Sequence, residues 1–194
     1  AKLTPRVCPE WRMVLLGLAA RGPQDANSGG SIVRVDYNGP MSERPSFTVK
    51  PIYWNASEKA LRAIRTKVFV EEQGVPVELE WDGLDEHAYH VMALAADGTP
   101  IGTGRLLQDA HIGRLAVLKE WRGNGVGGAL LDILLVIANK MGYEEVRLHA
   151  QTRVLGFYLR RGFESQGEEF MEAGIPHVLM VRGTADQKAW PAAF

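Results

Sequence analysis

The segment Arg122-Gly123-Asn124-Gly125-Val126-Gly127-Gly128 lies between a short apolar run and a long helical pattern. So little side-chain bulk lets backbone N–H groups approach a ligand closely. At the start of a helix the first amides have no intrahelical partner, and the helix dipole adds positive potential there. The segment therefore predicts a loop that opens a helix and binds a pyrophosphate group.

Regular patterning surrounds this loop and alternates between strand and helix. Helical spacing is found from Ser57 to Phe69, from Val126 to Met141 and from Val154 to Arg161. The predicted order is β-α-β-β-β-α-β-α-β-β, which indicates a mixed α/β fold with helices on both faces of the sheet. The predicted strands are 47–54, 89–96, 101–107, 112–118, 146–150, a strand from residue 163 onward, and 178–181.

Size, charge and cysteine content limit the functional class. The chain has 194 residues, enough for one domain, and its net charge of −1 gives no basic footprint for nucleic acid or an acidic membrane. The only cysteine is Cys8, which rules out an intramolecular disulfide and a cysteine-based zinc site. The apolar run Met13–Ala20 is far shorter than the roughly 20 residues of a spanning helix. We therefore expect a cytoplasmic protein with no metal, nucleic-acid or membrane partner.

Composition also divides the chain into segments. Residues 21–46 are rich in Gly, Pro, Asn and Ser, as linkers are, and Met41 stands just before the regular patterning begins. We expect residues 1–46 to be an N-terminal extension and linker, 47–182 to be the folded domain, and 183–194 to be a tail.

The glycine loop has other interpretations. Gly123, Gly125 and Gly128 satisfy the dinucleotide fingerprint G-x-G-x-x-G. In that motif the first glycine follows its strand almost at once, and the next strand ends in an acidic residue. Here Lys119–Arg122 intervene, and the next strand ends in Ala150-Gln151, so the fingerprint is a poor match. The glycines could also serve only to let a helix start tightly under a strand.

Several segments together resemble one family. Arg122-x-x-Gly125-x-Gly127 resembles the acyl-CoA pyrophosphate motif of the GNAT acetyltransferase superfamily. The likeness covers residues 47–182 and implies a central mixed, mostly antiparallel sheet flanked by helices on both faces. Arg114–Val117 resembles the family's central strand and Phe157–Phe163 its Tyr-x-x-x-Gly-Phe segment, while 69–76, Ala150-Gln151 and 174–177 resemble an uncharacterised bacterial subgroup of predicted N-acyltransferases.

This resemblance implies acetyl-CoA as co-substrate and a primary amine, on a small molecule or a peptide, as acceptor. It also implies that the amide of Val117 faces the thioester oxygen. Tyr158 is implied to act on the leaving thiolate: a phenol of pKa about 10 can donate a hydrogen bond to a thiolate whose conjugate acid has a pKa of about 8.5, which stabilises the leaving group or reprotonates it. Core packing is the alternative role for this tyrosine. The implied cofactor-binding residues are Leu115, Ala116, Val117, Arg122, Gly123, Asn124, Gly125, Val126, Gly127, Gly128, Gln151 and Tyr158.

The base that collects the proton of the amine stays open. An alkyl ammonium has a pKa of about 10.4, so a carboxylate or a histidine must collect its proton, directly or through water. Glu72, His90 and His177 are the candidates, with a solvated carboxylate and a buried, hydrogen-bonded histidine as the alternative roles of Glu72 and His90.

Two alternatives to acyl transfer to an amine stay open. The chain could be a non-catalytic acyl-CoA-binding regulatory module or a dinucleotide-dependent enzyme. We expect a monomer or a homodimer.

Overall fold

The computed structural model describes residues 45–185. The predicted extension up to residue 44, with Cys8 and the apolar run Met13–Ala20, lies outside the described residues, as does the chain after residue 185.

The strands form two antiparallel sheets that touch at one point. The first sheet has the order β1-β2-β3-β4 and the second the order β5-β7-β6. A single parallel bridge between His111 and Arg147 joins them, and β4 and β5 are not paired beyond it. The strands are β1 (Phe47–Ile52), β2 (Tyr89–Ala95), β3 (Pro100–Leu106), β4 (Ile112–Val117), β5 (Glu145–Gln151), β6 (Glu164–Glu172) and β7 (Ile175–Gly183).

The longer helices cover opposite faces of the first sheet. Val91 and Ala93 of β2 pack in one apolar cluster with the long central helix, whereas Met92 packs with Leu61 of the first helix. This alternation confirms the predicted mixed α/β fold with helices on both faces. No helix among residues 45–185 is long and apolar enough to span a membrane. The helices are α1 (Trp54–Arg65), α2 (Val77–Glu80), α3 (Val126–Lys140) and α4 (Leu155–Leu159), with a π-helical segment (Thr66–Glu72) and 3-10 turns at Asp85–His87, Lys119–Trp121 and Thr152–Val154.

Helix α1 differs from its prediction at both ends. The sequence predicts a start at Ser57, but the helix begins at Trp54. The Trp54 side chain is buried against Ile52, Leu61 and Met92, and this packing extends the helix by three residues. At its other end the chain continues as a π-helix through Glu72, a geometry found frequently at functional sites.

Helix α3 packs on the first sheet, and the apolar cluster that it joins also includes residues of β5 and β7. Its leucines Leu130, Leu131 and Leu134 are fully buried, so this helix is covered on more than one side. Gly104 of β3 permits the close contact, because a Cβ there would lie 2.9 Å from Leu134 Cδ1. The position of α3 under the first sheet fixes where its N-terminus opens.

The second sheet extends slightly past the predicted end of the patterned region. Strand β7 continues to Gly183, and the Thr184 N–H donates to the Glu144 carbonyl at 2.9 Å. The Thr184 hydroxyl also donates to the Tyr143 carbonyl. These bonds hold the chain against the start of β5 beyond residue 182.

Candidate active site

The divergence of β4 and β5 opens a cleft of about 1080 Å³. Both strands line it, together with the π-helical segment, the start of α3, helix α4 and the β6–β7 turn. The cleft has two parts. The loop end comprises the segment 122–128, of which all but Asn124 line the cleft, with Phe157 and Arg161, and the strand end comprises His111, His149, Glu172 and His177.

The loop end presents backbone amides at the start of α3. Gly125 has φ of 86°, a left-handed conformation that favours glycine, and α3 begins at the next residue. The first α-helical bond runs from the Ala129 N–H to the Gly125 carbonyl at 3.0 Å. The amides of residues 126–128 precede that bond and have no partner within the helix. This arrangement fits the predicted phosphate-binding loop.

Arg161 lies against this loop and was not among the predicted site residues. A Cβ on Gly128 would overlap its guanidinium group, which stacks over the Phe157 ring at 4.5 Å from the centroid. Its Nε is buried and has no hydrogen-bond partner among the described residues, while Asp132 Oδ1 lies 3.6 Å away. An anion at the loop end would supply the missing acceptor, so the residues present fit a diphosphate group.

Arg122 was predicted to add charge for the pyrophosphate, but the structure pairs it with a carboxylate. Its guanidinium donates to both oxygens of Glu72 at 2.5 and 2.7 Å, and its Nε donates to the Val117 carbonyl at 2.9 Å. The hydrogen bonds from Arg122 lower the pKa of the Glu72 carboxyl, which makes Glu72 a weak proton acceptor. Asn124 does not line the cleft, and its side chain turns back to the Arg122 carbonyl.

A bulge shapes the middle of β4. Thr103 pairs with Ala116 and Arg105 with Gly113, so two residues of β4 stand opposite one residue of β3. Arg114 lies in the bulge with φ of 51°. The three residues that follow it, Leu115, Ala116 and Val117, all line the cleft.

The register also sets the direction of the Val117 amide. The Leu118 N–H donates to the Ile101 carbonyl of the neighbouring strand β3 at 3.0 Å. Because successive N–H groups of a strand point to opposite sides, the Val117 N–H points away from β3 and toward the unpaired edge that lines the cleft. The Val117 carbonyl points the same way and is the group that Arg122 contacts.

A buried charge cluster lies beside the cleft. Arg65, with 1% of its side chain exposed, donates to Glu80 at 2.5 Å and to Asp85 at 2.6 Å. Arg105 donates to Asp82 at 2.6 Å and to Asp85 at 2.9 Å. The cluster contains three arginines and three carboxylates and is charge-balanced: Arg65, Arg105, Arg114, Glu80, Asp82 and Asp85.

Two members of this charge cluster also line the cleft. Arg114 Nη2 donates to the Leu79 carbonyl at 2.9 Å and to Asp82 at 3.1 Å, which ties the β4 bulge to α2 and to the segment that follows it. Glu80 is buried, and burial raises the pKa of its carboxyl although Arg65 and Arg114 oppose that effect. Burial would also raise the pKa of Asp82, but the hydrogen bonds and charge of Arg105 outweigh it and leave a pKa of about 2.

His90, a predicted candidate base, lies outside the cleft. It is 1% exposed, and its Nε2 lies 2.8 Å from the Asp85 carbonyl oxygen. Burial lowers the pKa of His90 to about 4. The residue is a neutral, buried, hydrogen-bonded histidine of the charge cluster, and the structure removes it from the candidate bases.

The remaining predicted residues, Tyr158, Gln151 and His177, line the cleft. Tyr158 packs edge-on against Phe157 and Phe163, with ring centroids 4.9 and 5.8 Å away, and burial raises its pKa to about 12. Gln151 Nε2 donates to Gln73 Oε1 at 2.9 Å, so its amide joins β5 to the end of the π-helical segment. His177 is 8% exposed, and its Nδ1 lies 2.8 Å from the Ile175 carbonyl oxygen.

The strand end also contains residues that the sequence analysis did not select. His149 Nδ1 lies 2.8 Å from a Glu172 carboxylate oxygen, and its ring meets the ring of His111 at 4.7 Å. Within residues 45–185 no group of three or more His, Cys, Asp or Glu side chains is arranged to hold a metal ion. The alternation of exposed and buried residues along β5 is the signal that places His149 on the face opposite the core.

The sheet topology bears on the dinucleotide alternative. A dinucleotide-binding unit requires parallel strands joined by crossover helices. Here β4, which precedes the glycine loop, pairs antiparallel with β3 and belongs to an antiparallel sheet. The glycine loop therefore does not belong to that fold.

Known proteins share this architecture. Residues 55–183 match the model of the acetyltransferase (GNAT) domain family. The Bacillus subtilis protein YjcF, named an uncharacterized N-acetyltransferase, is 37% identical over 123 residues, which are 61% of this chain and 87% of that protein.

Solved structures agree with the family match. An acyl-CoA N-acyltransferase from Pseudomonas aeruginosa is 32% identical with a TM-score of 0.63, over 71% of this chain and 99% of that one. A GNAT family acetyltransferase from Elizabethkingia anophelis with acetyl-CoA bound has a TM-score of 0.55 at 18% identity, over 71% of this chain and 97% of that one. From the divided sheet, the helix-opening glycine loop and these matches, the chain belongs to the GNAT acetyltransferase family.

Proposed function

We propose that this chain transfers an acetyl or other short acyl group from coenzyme A to a primary amine by direct attack in a ternary complex. Membership of the GNAT family supports acyl transfer from coenzyme A to an acceptor. The observation that carries the finer proposal is the single cleft, which joins a helix-opening glycine loop to a group of titratable side chains. Residues 45–185 contain no cysteine, which favours direct attack over a cysteine relay.

Charge differs between the two parts of the cleft. Arg161 lies at the loop end, and Arg153 and Arg160 also line the cleft, whereas the strand end has Glu172 and three histidines. A diphosphate is attracted to free amides and guanidinium groups, and an ammonium to carboxylates. Acetyl-CoA therefore binds with its diphosphate at the loop end, and the acceptor amine approaches from the strand end.

The unpaired edge of β4 holds the reacting group between these parts. The outward-facing amide of Val117 is available to the thioester oxygen, where negative charge develops as the amine attacks. The backbone beside it, from Leu115 to Val117, lines the path along which the pantetheine arm lies. Positioning and a polarised carbonyl are the main requirements of this reaction.

Tyr158 stabilises the leaving group. Since burial raises its pKa to about 12, the phenol stays protonated at neutral pH and donates a hydrogen bond to the leaving sulfur. In the step itself the C–N bond forms and the C–S bond breaks, and the thiolate leaves on that hydrogen bond and takes its proton from solvent. The amine proton passes to a base in the cleft.

The test compares two tyrosines in a thiol-release assay. With acetyl-CoA and a panel of primary amines from ethanolamine to spermidine and a lysine tripeptide, Tyr158→Phe lowers kcat about 100-fold, as loss of a hydrogen-bond donor to developing negative charge does. Tyr143→Phe is the matched control, because Tyr143 donates to the Gln108 carbonyl and does not line the cleft. We expect it to keep the wild-type rate.

Ligand binding is measured separately by thermal shift. Acetyl-CoA raises the melting temperature of the wild type and of both variants, and NAD does not. If acetyl-CoA stabilises the protein but no amine in the panel releases thiol, the catalytic proposal is wrong and the regulatory alternative takes its place.

A further inference from the structure

His149 and Glu172 form a hydrogen-bonded pair at the strand end of the cleft. His149 Nδ1 lies 2.8 Å from Glu172 Oε2, and both residues line the cleft. Their side chains are 35% and 48% exposed, so the pair is open to solvent and to a ligand. Neither residue is used by the acyl-transfer steps derived above.

Local backbone geometry fixes both positions. Along β5, Leu148 and Ala150 are buried and His149 points to the opposite face, where Gln151 contacts Gln73. Glu172 ends β6 directly before a two-residue turn of Ala173 and Gly174, whose φ angles are 50° and 75°. Two left-handed residues in a two-residue hairpin are typical of a type I′ turn, which fixes the strand ends. The pair is therefore held by a strand and a tight turn.

Neighbouring rings orient the imidazole. His111 meets His149 edge-on at 4.7 Å, and Phe170 meets it edge-on at 4.8 Å. With Glu172 as acceptor, Nδ1 carries the hydrogen and donates, which leaves the Nε2 lone pair free. Within residues 45–185 nothing is hydrogen-bonded to that Nε2. A carboxylate that orients an imidazole and stabilises its protonated form is the arrangement of a general base.

The other titratable groups of the cleft are less suited to accept a proton. Glu72 is paired with Arg122, and Glu80 is held by Arg65 and Arg114. His177 has a backbone carbonyl as its Nδ1 partner rather than a carboxylate, and only 8% of it is exposed.

The geometry points to His149 as the base that accepts the proton of the acceptor amine, with Glu172 as its positioning residue. This inference rests on the proposed acyl transfer. As the amine nitrogen bonds to the acyl carbon and the C–S bond breaks, one N–H proton passes to His149 Nε2. The Glu172 carboxylate stabilises the imidazolium that results, and the exposed ring then releases the proton to solvent.

The charged groups around His149 favour a single protonated histidine. Glu172 faces it from β6 and His111 from the start of β4, while Arg147 of β5 is paired with Asp109 at 2.6 Å. Burial lowers the pKa of His111, and the charge of His149 lowers it further. His177 lies beyond Phe170, whose ring stacks on it at 6.2 Å. His111 is therefore neutral when His149 takes up the proton.

The test is a pH profile of thiol release with the same amine panel and acetyl-CoA. His149→Gln lowers kcat about 100-fold and removes the acid limb of the profile, while the thermal shift by acetyl-CoA is unchanged. Free imidazole restores part of the rate to His149→Ala. Glu172→Gln lowers kcat less, about 10-fold, and leaves the KM values for acetyl-CoA and the amine unchanged, because the amide can still accept from Nδ1 but carries no negative charge. The same substitution lowers the rate no further in the His149→Gln background, whereas a merely structural role for Glu172 would lower it there as well.

His87→Gln is the matched control, since His87 is exposed on a 3-10 turn and does not line the cleft. It keeps the wild-type rate and profile. An unchanged acid limb in His149→Gln, or its loss in His177→Gln instead, overturns this assignment alone. Absence of thiol release from the wild type with every amine overturns the proposed function and this inference together.

Discussion

The two ends of the cleft are built in different ways. The loop end comes mostly from one continuous segment, residues 122–128, whose backbone amides we propose to bind the diphosphate. The strand end assembles side chains from before β4 and from β5, β6 and β7, and a cluster of six charged residues, four of them buried, lies beside the cleft. A backbone site depends on local conformation, whereas a side-chain site depends on the packing that brings distant strands together. The two ends should therefore respond differently to substitution.

The largest effect is expected where the charge cluster is broken. Arg65→Met leaves Glu80 and Asp85 buried without their main partner, and such a change costs about 3–5 kcal/mol of the free energy of unfolding. Arg62→Met is the control, because Arg62 pairs with Glu58 on the exposed face of the same helix and should cost less than about 1 kcal/mol. Urea denaturation at pH 7 measures both. Equal losses would show that the cluster adds nothing specific to the fold.

A pH effect of intermediate size is expected from His90. Its pKa is about 4 in the folded protein and about 6.5 when unfolded, so the unfolded state binds the proton first as pH falls. This group therefore removes about 2 kcal/mol of stability between pH 7 and pH 5, and the loss continues until pH approaches 4. In His90→Gln that part of the acid destabilisation disappears, as urea denaturation at the two pH values will show. Parallel pH dependence in the wild type and the variant would contradict a neutral buried His90.

The loop end is probed by two glycines with the same backbone strain. Gly125 and Gly142 have φ of 86° and 78° at opposite ends of α3. Alanine at either position should cost about 1–2 kcal/mol of stability, because a Cβ is disfavoured in the left-handed region. Only Gly125→Ala should also weaken acetyl-CoA binding, by about 10-fold, since only Gly125 lines the cleft. Calorimetric titration measures the affinity, and equal weakening by both variants would mean that helix stability, rather than loop shape, controls binding.

The same contrast explains what the sequence could predict. The glycine loop could be predicted because its residues are consecutive and their conformational demands are local. The order of helices and strands along the chain could be predicted from the periodicity of apolar residues. The start of α1 was misplaced, because burial of Trp54 against Met92 of β2 decides it and no local signal reports that contact. Arg105 and Arg114 lie in predicted strands, where an unpaired charge is costly, and the structure pairs both with carboxylates.

Side-chain pairing across the fold could not be predicted in the same way. The separation of 23 residues between His149 and Glu172 carries no pattern, and the two residues lie on β5 and β6, which β7 separates in the second sheet. Arg122 and Glu72 are 50 residues apart, so the sequence gives no sign of their ion pair either. His90 had the right chemistry for a base, and only its depth in the charge cluster removes it from the site.

The smallest effect is expected from Glu72, which joins the loop end to the π-helical segment. Its ion pair with Arg122 is about 40% exposed, so Glu72→Ala should change stability by less than about 1 kcal/mol. Arg122 keeps its bond to the Val117 carbonyl, and its charge, no longer neutralised, faces the diphosphate site. Acetyl-CoA should then bind about 3-fold more tightly at low salt, and the gain should fade as salt screens it. If Glu72→Ala instead weakens binding as much as Arg122→Ala does, the carboxylate serves to hold the arginine in place, and the loop end depends on side-chain packing as the strand end does.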